Sequence, residues 1–203
     1  MSRQRWLYLS LALVLVLIFL LLAAAMRLPA VQSGDLLVLA ALMRIRTAAA
    51  TAFFKFITFF GTSTFFYPAT AVLGIAFYTR WRWRGFLAVV LAMLVANGMM
   101  EWLKDFYHRP RPTLGPIEIV PGFSFPSGHA MMGSVFFGLL ALILRQIIPP
   151  RYRSYVVPAT VVFLFLLGGS RLYLGVHYPT DILAGYAAGT AFLALFLAWW
   201  NAR

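Results

Sequence analysis

From Leu7 to Met26 the only polar side chains in the chain are Tyr8 and Ser10. A run of that length can cross a bilayer core of about 30 Å as a helix. Inside hydrocarbon every backbone N–H and C=O must be bonded within its own segment, so such a run is committed to helix. Comparable runs recur over about 51–78, 85–106, 126–148, 154–169 and 179–200. The pattern predicts an all-α polytopic membrane protein with six transmembrane helices, forming a single membrane-integrated domain over residues 1–203. Ala23-Ala24-Ala25 imitates a signal-peptide cleavage site. The apolar core before it is longer than a signal core and further spans follow, so the first helix is expected to remain.

The links between spans are informative. Asp35 to Met43 is almost wholly apolar, is too short to cross, and is closed by Arg44 and Arg46. Ser33 is in position to cap such a helix, and Asp35 suits its positive end. A short interfacial helix between the first and second spans is expected, the alternative being an irregular linker. The Phe-rich second span is interrupted by Gly61-Thr62-Ser63-Thr64. That interruption bends the helix or lines a lipid-access groove. Arg80-Trp81-Arg82-Trp83-Arg84 reads as an interfacial belt and a tight turn. Gly185 and Gly189, with Ala184 and Ala188, make a small-residue face on the last helix that permits close helix approach.

Charged residues make up only 11% of the chain and hydrophobic residues 63%, against roughly 25% charged in a soluble domain. The net charge is +12. Its cations sit between apolar runs and not along one stripe, so they read as topology signals and anion ligands, not as a nucleic-acid surface. The absence of Cys excludes disulfides, thiolate metal sites and a Cys nucleophile. Six spans put nine Lys and Arg on the side of the termini and eight on the other. The second set contains the candidate functional cations. Setting those aside leaves the excess with the termini, which predicts cytoplasmic termini and polar motifs on the outer face.

Three polar motifs then fall on that one face. The first, Lys104 through Pro112, closes the third span and holds Lys104 and Arg111 in a Lys-x6-Arg-Pro spacing. Converging cations, Arg above all, suit phosphate; the alternative is a cluster of snorkelling interface residues. The second, Pro126-Ser127-Gly128-His129, opens the fourth span. A helix N-terminus offers unpaired N–H groups and a positive dipole end to an anion. Ser127 can cap or donate to a phosphate oxygen, Gly128 lets an anion approach the backbone, and His129 stands beside it. The alternative is an ordinary Ser-capped helix with a surface His. The third runs from Ser170 to Asp181 and carries Arg171, His177 and Asp181. Arg171 can clamp phosphate and His177 can attack phosphorus. Asp181, four residues on, can accept the ring proton, fix the tautomer and stabilise the developing positive charge. The alternative there is an interfacial turn with a helix-capping Asp. Around these motifs, Glu101 is placed to pair with Lys104, the alternative being a merely interfacial residue, while His108 and Arg109 read as surface residues, the alternative being contact with a lipid headgroup.

The three motifs, in order and with full spacing, resemble the signatures of the type 2 phosphatidic acid phosphatase superfamily of membrane lipid phosphatases. The resemblance implies His177 as a nucleophile that forms a phosphohistidine, Asp181 as its orienter, and His129 as the acid that protonates the leaving oxygen. It implies that Lys104, Arg111 and Arg171, with Ser127 and the Gly128 amide, hold the phosphoryl oxygens. It further implies no metal and no cofactor. The substrate would be an anionic phospholipid or polyprenyl pyrophosphate in the bilayer. Phosphatidylglycerophosphate is the first expectation and undecaprenyl pyrophosphate the second, followed by phosphatidic acid and diacylglycerol pyrophosphate. A lipid phosphotransferase, or a non-catalytic transporter that merely binds anionic lipid, are the rival functions.

Overall fold

The computed structural model describes residues 2–201, and these are all helix and loop. The helices are α1 (Arg3–Ala25), α2 (Pro29–Arg44), α3 (Ala48–Phe59), α4 (Ser63–Tyr107), α5 (Gly128–Ile147), α6 (Arg153–Tyr173) and α7 (Pro179–Trp200). Five of them, α1, α4, α5, α6 and α7, are long and apolar enough to cross a membrane. The chain is therefore a multi-pass membrane protein.

The second apolar run does not begin a span where its composition suggested. Residues Ala48–Phe59 form a separate 12-residue helix, and α4 starts only at Ser63. Gly61 and the hydroxyl residues after it divide the run. The Thr62 side chain accepts from the Phe65 amide, which fixes a new helix start. Such residues favour caps over helix interiors because their oxygens compete for backbone N–H groups.

α4 has 45 residues, about 68 Å if straight and more than twice a bilayer core. It is not straight. Arg82 leaves helical geometry at φ 57°, ψ −149°. A Cβ on Gly74 would lie 3.0 Å from the Phe86 ring, twelve positions on. The two halves therefore double back on one another at the Arg-Trp belt.

α2 is also longer than expected and begins at Pro29, with Leu28 at its N-cap and no side-chain cap bond. Ser33 and Asp35 thus lie inside it. Asp35 does not serve the helix dipole: it is buried at 3% exposure and reaches across to α7. α6 runs on to Tyr173, four residues beyond the expected end of its span.

α5 and α7 are packed together at the centre, with α1 against α7 and both α4 and α6 against α5. The small residues of α7 are what bring it to α5. A Cβ on Gly185 would stand 2.7 Å from the Ser127 carbonyl oxygen, and one on Gly189 would overlap the Met131 carbonyl. The Ser127 amide donates to the Asp181 carbonyl at 3.0 Å, so the starts of α5 and α7 are locked side by side. That contact joins the second and third polar motifs.

Gly185→Val should lower the thermal midpoint of the protein in detergent, at a cost of about 1–3 kcal/mol for overpacking. An unchanged midpoint would show that the helices can part without penalty.

Candidate active site

The C-terminal end of α6 is held from outside. Arg46, just beyond α2, donates to the Tyr173 carbonyl at 3.1 and 2.8 Å and to the Gly115 carbonyl at 2.6 Å. A guanidinium is a natural cap for the negative end of a helix. The Tyr173 ring packs on Phe54 of α3, and its hydroxyl meets the Thr47 amide. Gly175 turns the chain with φ +75°, where a Cβ would meet Arg46 and Pro116. The link that follows carries His177 back toward the bundle interior, and α7 then begins.

His177 is 2% exposed. Its Nε2 lies 3.2 Å from Arg111 Nη1. Arg has no lone pair to offer, so Nε2 must be the acceptor. The proton then sits on Nδ1, which faces Asp181 Oδ2 at 3.4 Å. That distance is long for a hydrogen bond. Asp181 is fully buried and does three things with two oxygens. Oδ2 also accepts from the Tyr178 amide at 2.8 Å, and Oδ1 pairs with Arg109 Nη1 at 2.6 Å. Arg111 is fixed in turn by the carbonyls of Val176, Gly122 and Pro121.

His129 stands one residue into α5. Its Nε2 lies 3.1 Å from both the hydroxyl and the carbonyl of Thr58. Gly61 lies flat against its ring, and any Cβ there would overlap it. The Thr58 hydroxyl also accepts from Arg171 Nη1 at 2.6 Å. One α3 residue therefore ties Arg171 to His129. Glu118, from the long loop, approaches Arg171 at 3.5 Å. Lys104 has Glu101 at 4.0 Å, the one-turn pair anticipated from their spacing. The Gly128 backbone sits close under Lys104, whose Nζ would be 3.7 Å from a Cβ there.

Lys104, Arg111, Gly128, His129, Arg171 and His177 all line one cavity of about 440 Å³. The three motifs do meet. Asp181 lies behind His177, outside the cavity wall. Ser127 is buried with a hydroxyl that has no partner; it occupies the N-cap position of α5 but makes no side-chain cap bond. Away from the cations the cavity becomes apolar. Phe66, Tyr67, Phe86, Val90, Met93 and Leu94 line it from both halves of α4. The Gly61 to Ser63 segment borders it as well, on the access-groove side of the earlier alternatives.

Sequence reasoning missed four residues here. Arg109, expected at the surface, is a buried ion-pair partner; His108 beside it is exposed, as expected. Asp35, Thr58 and Arg46 reach the site from α2, α3 and the link between them. Only Asp35 carried a signal, a carboxylate in a chain with five acidic residues. Among the described residues no three His, Cys, Asp or Glu side chains converge as metal ligands would.

A multi-pass helical protein with a cationic, His-bearing cavity open to an apolar groove is built to hold an anionic head beside a lipid-like tail. The profile of the PAP2 superfamily matches residues 85–203, and the chain belongs to that superfamily. Phosphatidylglycerophosphatase B of Bacillus subtilis (strain 168) is 35% identical over 171 residues, spanning 83% of this chain and 84% of that one. The crystal structure of a transmembrane PAP2-type phosphatidylglycerolphosphate phosphatase from Bacillus subtilis superposes with a TM-score of 0.88 at 31% identity, covering 94% of this chain and 96% of that one. Aquifex aeolicus LpxE shares the fold at a TM-score of 0.63 and 23% identity, over 80% of this chain and 93% of that one.

Burial pushes the His177 imidazole from 6.5 down to about 4; Arg111 and Arg171 reinforce the shift and Asp181 opposes it. The ring is therefore neutral at pH 7. Between pH 6.5 and about 4 an unfolded chain takes up a proton here that the folded chain does not. Stability from neutral His177 is thus complete above pH 6.5 and is lost as pH falls toward 4. Imidazole-labelled NMR of the protein in detergent should find His177 neutral at pH 6 with its proton on Nδ1. A titration midpoint above 6 would overturn this.

Proposed function

We propose that this chain is a single-domain membrane lipid phosphate phosphatase that works through a phosphohistidine, with phosphatidylglycerophosphate as its preferred substrate. The observation that carries the reading is the cavity itself, with two histidines and three cations at one end and an apolar groove at the other. A phosphate lodges against Lys104, Arg111 and Arg171, with the Ser127 hydroxyl and Gly128 amide on its remaining oxygens. The acyl chains lie between the halves of α4.

The His177 Nε2 lone pair attacks phosphorus and the P–O bond to the lipid breaks. The departing oxygen takes a proton from His129, releasing the lipid alcohol. As the P–N bond forms, the ring gains positive charge, which the Asp181 carboxylate stabilises through Nδ1–H. His129 then removes a proton from water, whose oxygen attacks the phosphohistidine. The P–N bond breaks, its electron pair returns to Nε2, and inorganic phosphate leaves. Phosphoryl transfer spreads charge over the equatorial oxygens, where the fixed cations stabilise it. The cations needed are side chains, and no metal takes part.

The preference for phosphatidylglycerophosphate is supported by the Bacillus subtilis relative; a polyprenyl pyrophosphate fits the same charge pattern. Purified protein should release phosphate from phosphatidylglycerophosphate faster than from undecaprenyl pyrophosphate or phosphatidic acid in one panel. His177→Ala should lower release by about 10⁴-fold or more, the scale seen when a nucleophile is removed, and a chelator should change nothing. Undiminished release by His177→Ala would reject the mechanism, and loss of activity with chelator would reject its metal independence. A phosphorylated lipid acceptor without free phosphate would make the chain a phosphotransferase.

Each half of α4 crosses the bilayer once, which makes six crossings with cytoplasmic termini and the site on the outer face. The reversal at Arg82 and the cations Arg80, Arg84, Arg145, Arg151 and Arg153 support this arrangement. A cysteine placed at Thr113 should react with an impermeant thiol reagent from outside intact cells. Labelling only after the cells are opened would invert the orientation.

A further inference from the structure

Arg109 lies in the variable part of the first motif, two residues before the phosphate-facing Arg111. Its guanidinium is buried at 9% exposure between two carboxylates, 2.6 Å from Asp181 Oδ1 and 2.7 Å from Asp35 Oδ2. Nη1 also donates to the Thr180 hydroxyl at 2.6 Å, and that hydroxyl donates to Asp35 Oδ2 at 2.6 Å. Asp35 Oδ1 accepts the Thr180 amide at 3.1 Å, and the guanidinium lies over the Tyr178 ring at 4.1 Å. The cluster spans α2, the loop after α4 and the start of α7, and Asp35 lies outside residues 85–203 matched by the superfamily.

We infer that Arg109, anchored by Asp35, is a positioning residue that holds the Asp181 carboxylate aimed at His177. The inference rests on His177 being the nucleophile. The logic is one of charge and geometry. A carboxylate supported by a cation on Oδ1 keeps Oδ2 free to accept from the Tyr178 amide and the His177 ring. Without Arg109, two buried carboxylates would stand near each other with no cation between them. Their repulsion would push the two apart, and the Asp181 oxygen facing Nδ1 would lose its direction. Asp35 has a second effect. It leaves the trio of Asp35, Arg109 and Asp181 with a net negative charge, which faces the ring as that ring turns positive during attack. Arg109 touches neither phosphate nor the reacting atoms, so its loss should affect turnover more than substrate binding.

The test uses the full-length protein in detergent, with phosphate release from dioctanoyl phosphatidic acid as the readout. Arg109→Met should lower kcat about 10- to 100-fold, the range for a residue that orients a reacting group. KM should stay within about two-fold, as expected when a transition-state interaction is lost. Arg109→Lys should recover part of the loss, and Asp35→Asn should lower kcat by less than Arg109→Met. In an Asp181→Asn background, Arg109→Met should have little further effect, because the group it positions is gone. Wild-type kcat in Arg109→Met, a rise in KM alone, or an undiminished effect in the Asp181→Asn background would overturn the inference. If Arg109→Met fails to fold, wild-type kcat in both Arg109→Lys and Asp35→Asn overturns it equally. His177→Ala separates the two levels. Activity surviving that change sinks the phosphohistidine reading; activity lost there but kept in Arg109→Met sinks only the role of Arg109.

Discussion

Asp181 is a carboxylate with no contact with water, and the site is arranged around keeping it there. An ion of that kind left unpaired in a protein interior costs several kcal/mol. Here it is met by a guanidinium, a backbone amide and an imidazole. Those three partners come from the loop after α4 and from the turn before α7. Its own backbone carbonyl receives the Ser127 amide, so the same residue also fixes where α5 begins. The N-terminus of α5 and the His177 turn are therefore placed relative to one another by one residue.

Helix packing makes that convergence possible. Leu or Val at positions 185 and 189 would hold α7 away from α5, because the Ser127 and Met131 carbonyls already occupy that space. In a membrane, where lipid tails are as apolar as side chains, such close approach is a main source of helix association. The doubled α4 then closes the other side. Its halves supply apolar lining to the cavity that Lys104 and His129 also line. The cationic and apolar linings of the cavity thus come from different parts of the fold.

The short helices α2 and α3 have a different task. They are not among the helices long enough to count as candidate spans, yet they and the link between them reach several polar groups behind the cavity. Asp35 meets Thr180 and Arg109, Thr58 meets Arg171 and His129, and Arg46 caps α6. The segment before α4 thus supplies a polar backing to residues presented by the later helices. Glu118, from the loop after α4, places a carboxylate beside Arg171.

The sequence by itself determined the all-helical membrane class, because runs without polar side chains leave no other way to satisfy the backbone in lipid. It also determined the three motifs and their residues, since His177, Asp181, His129, Lys104, Arg111, Ser127, Gly128 and Arg171 stand at local spacings readable along the chain. It misplaced the start of the second long helix, because Phe-rich stretches on both sides of Gly61 are equally apolar and only the Thr62 cap separates them. It also left Arg109 at the surface, gave no role to Thr58, and read Arg46 only as the close of a short apolar segment. Their partners lie 72, 113 and 127 positions away in the chain. No local pattern records such a distance. Only the tertiary structure, by bringing α2 and α3 under the starts of α5 and α7, decided which charges are buried together and so which residues hold the histidines in place.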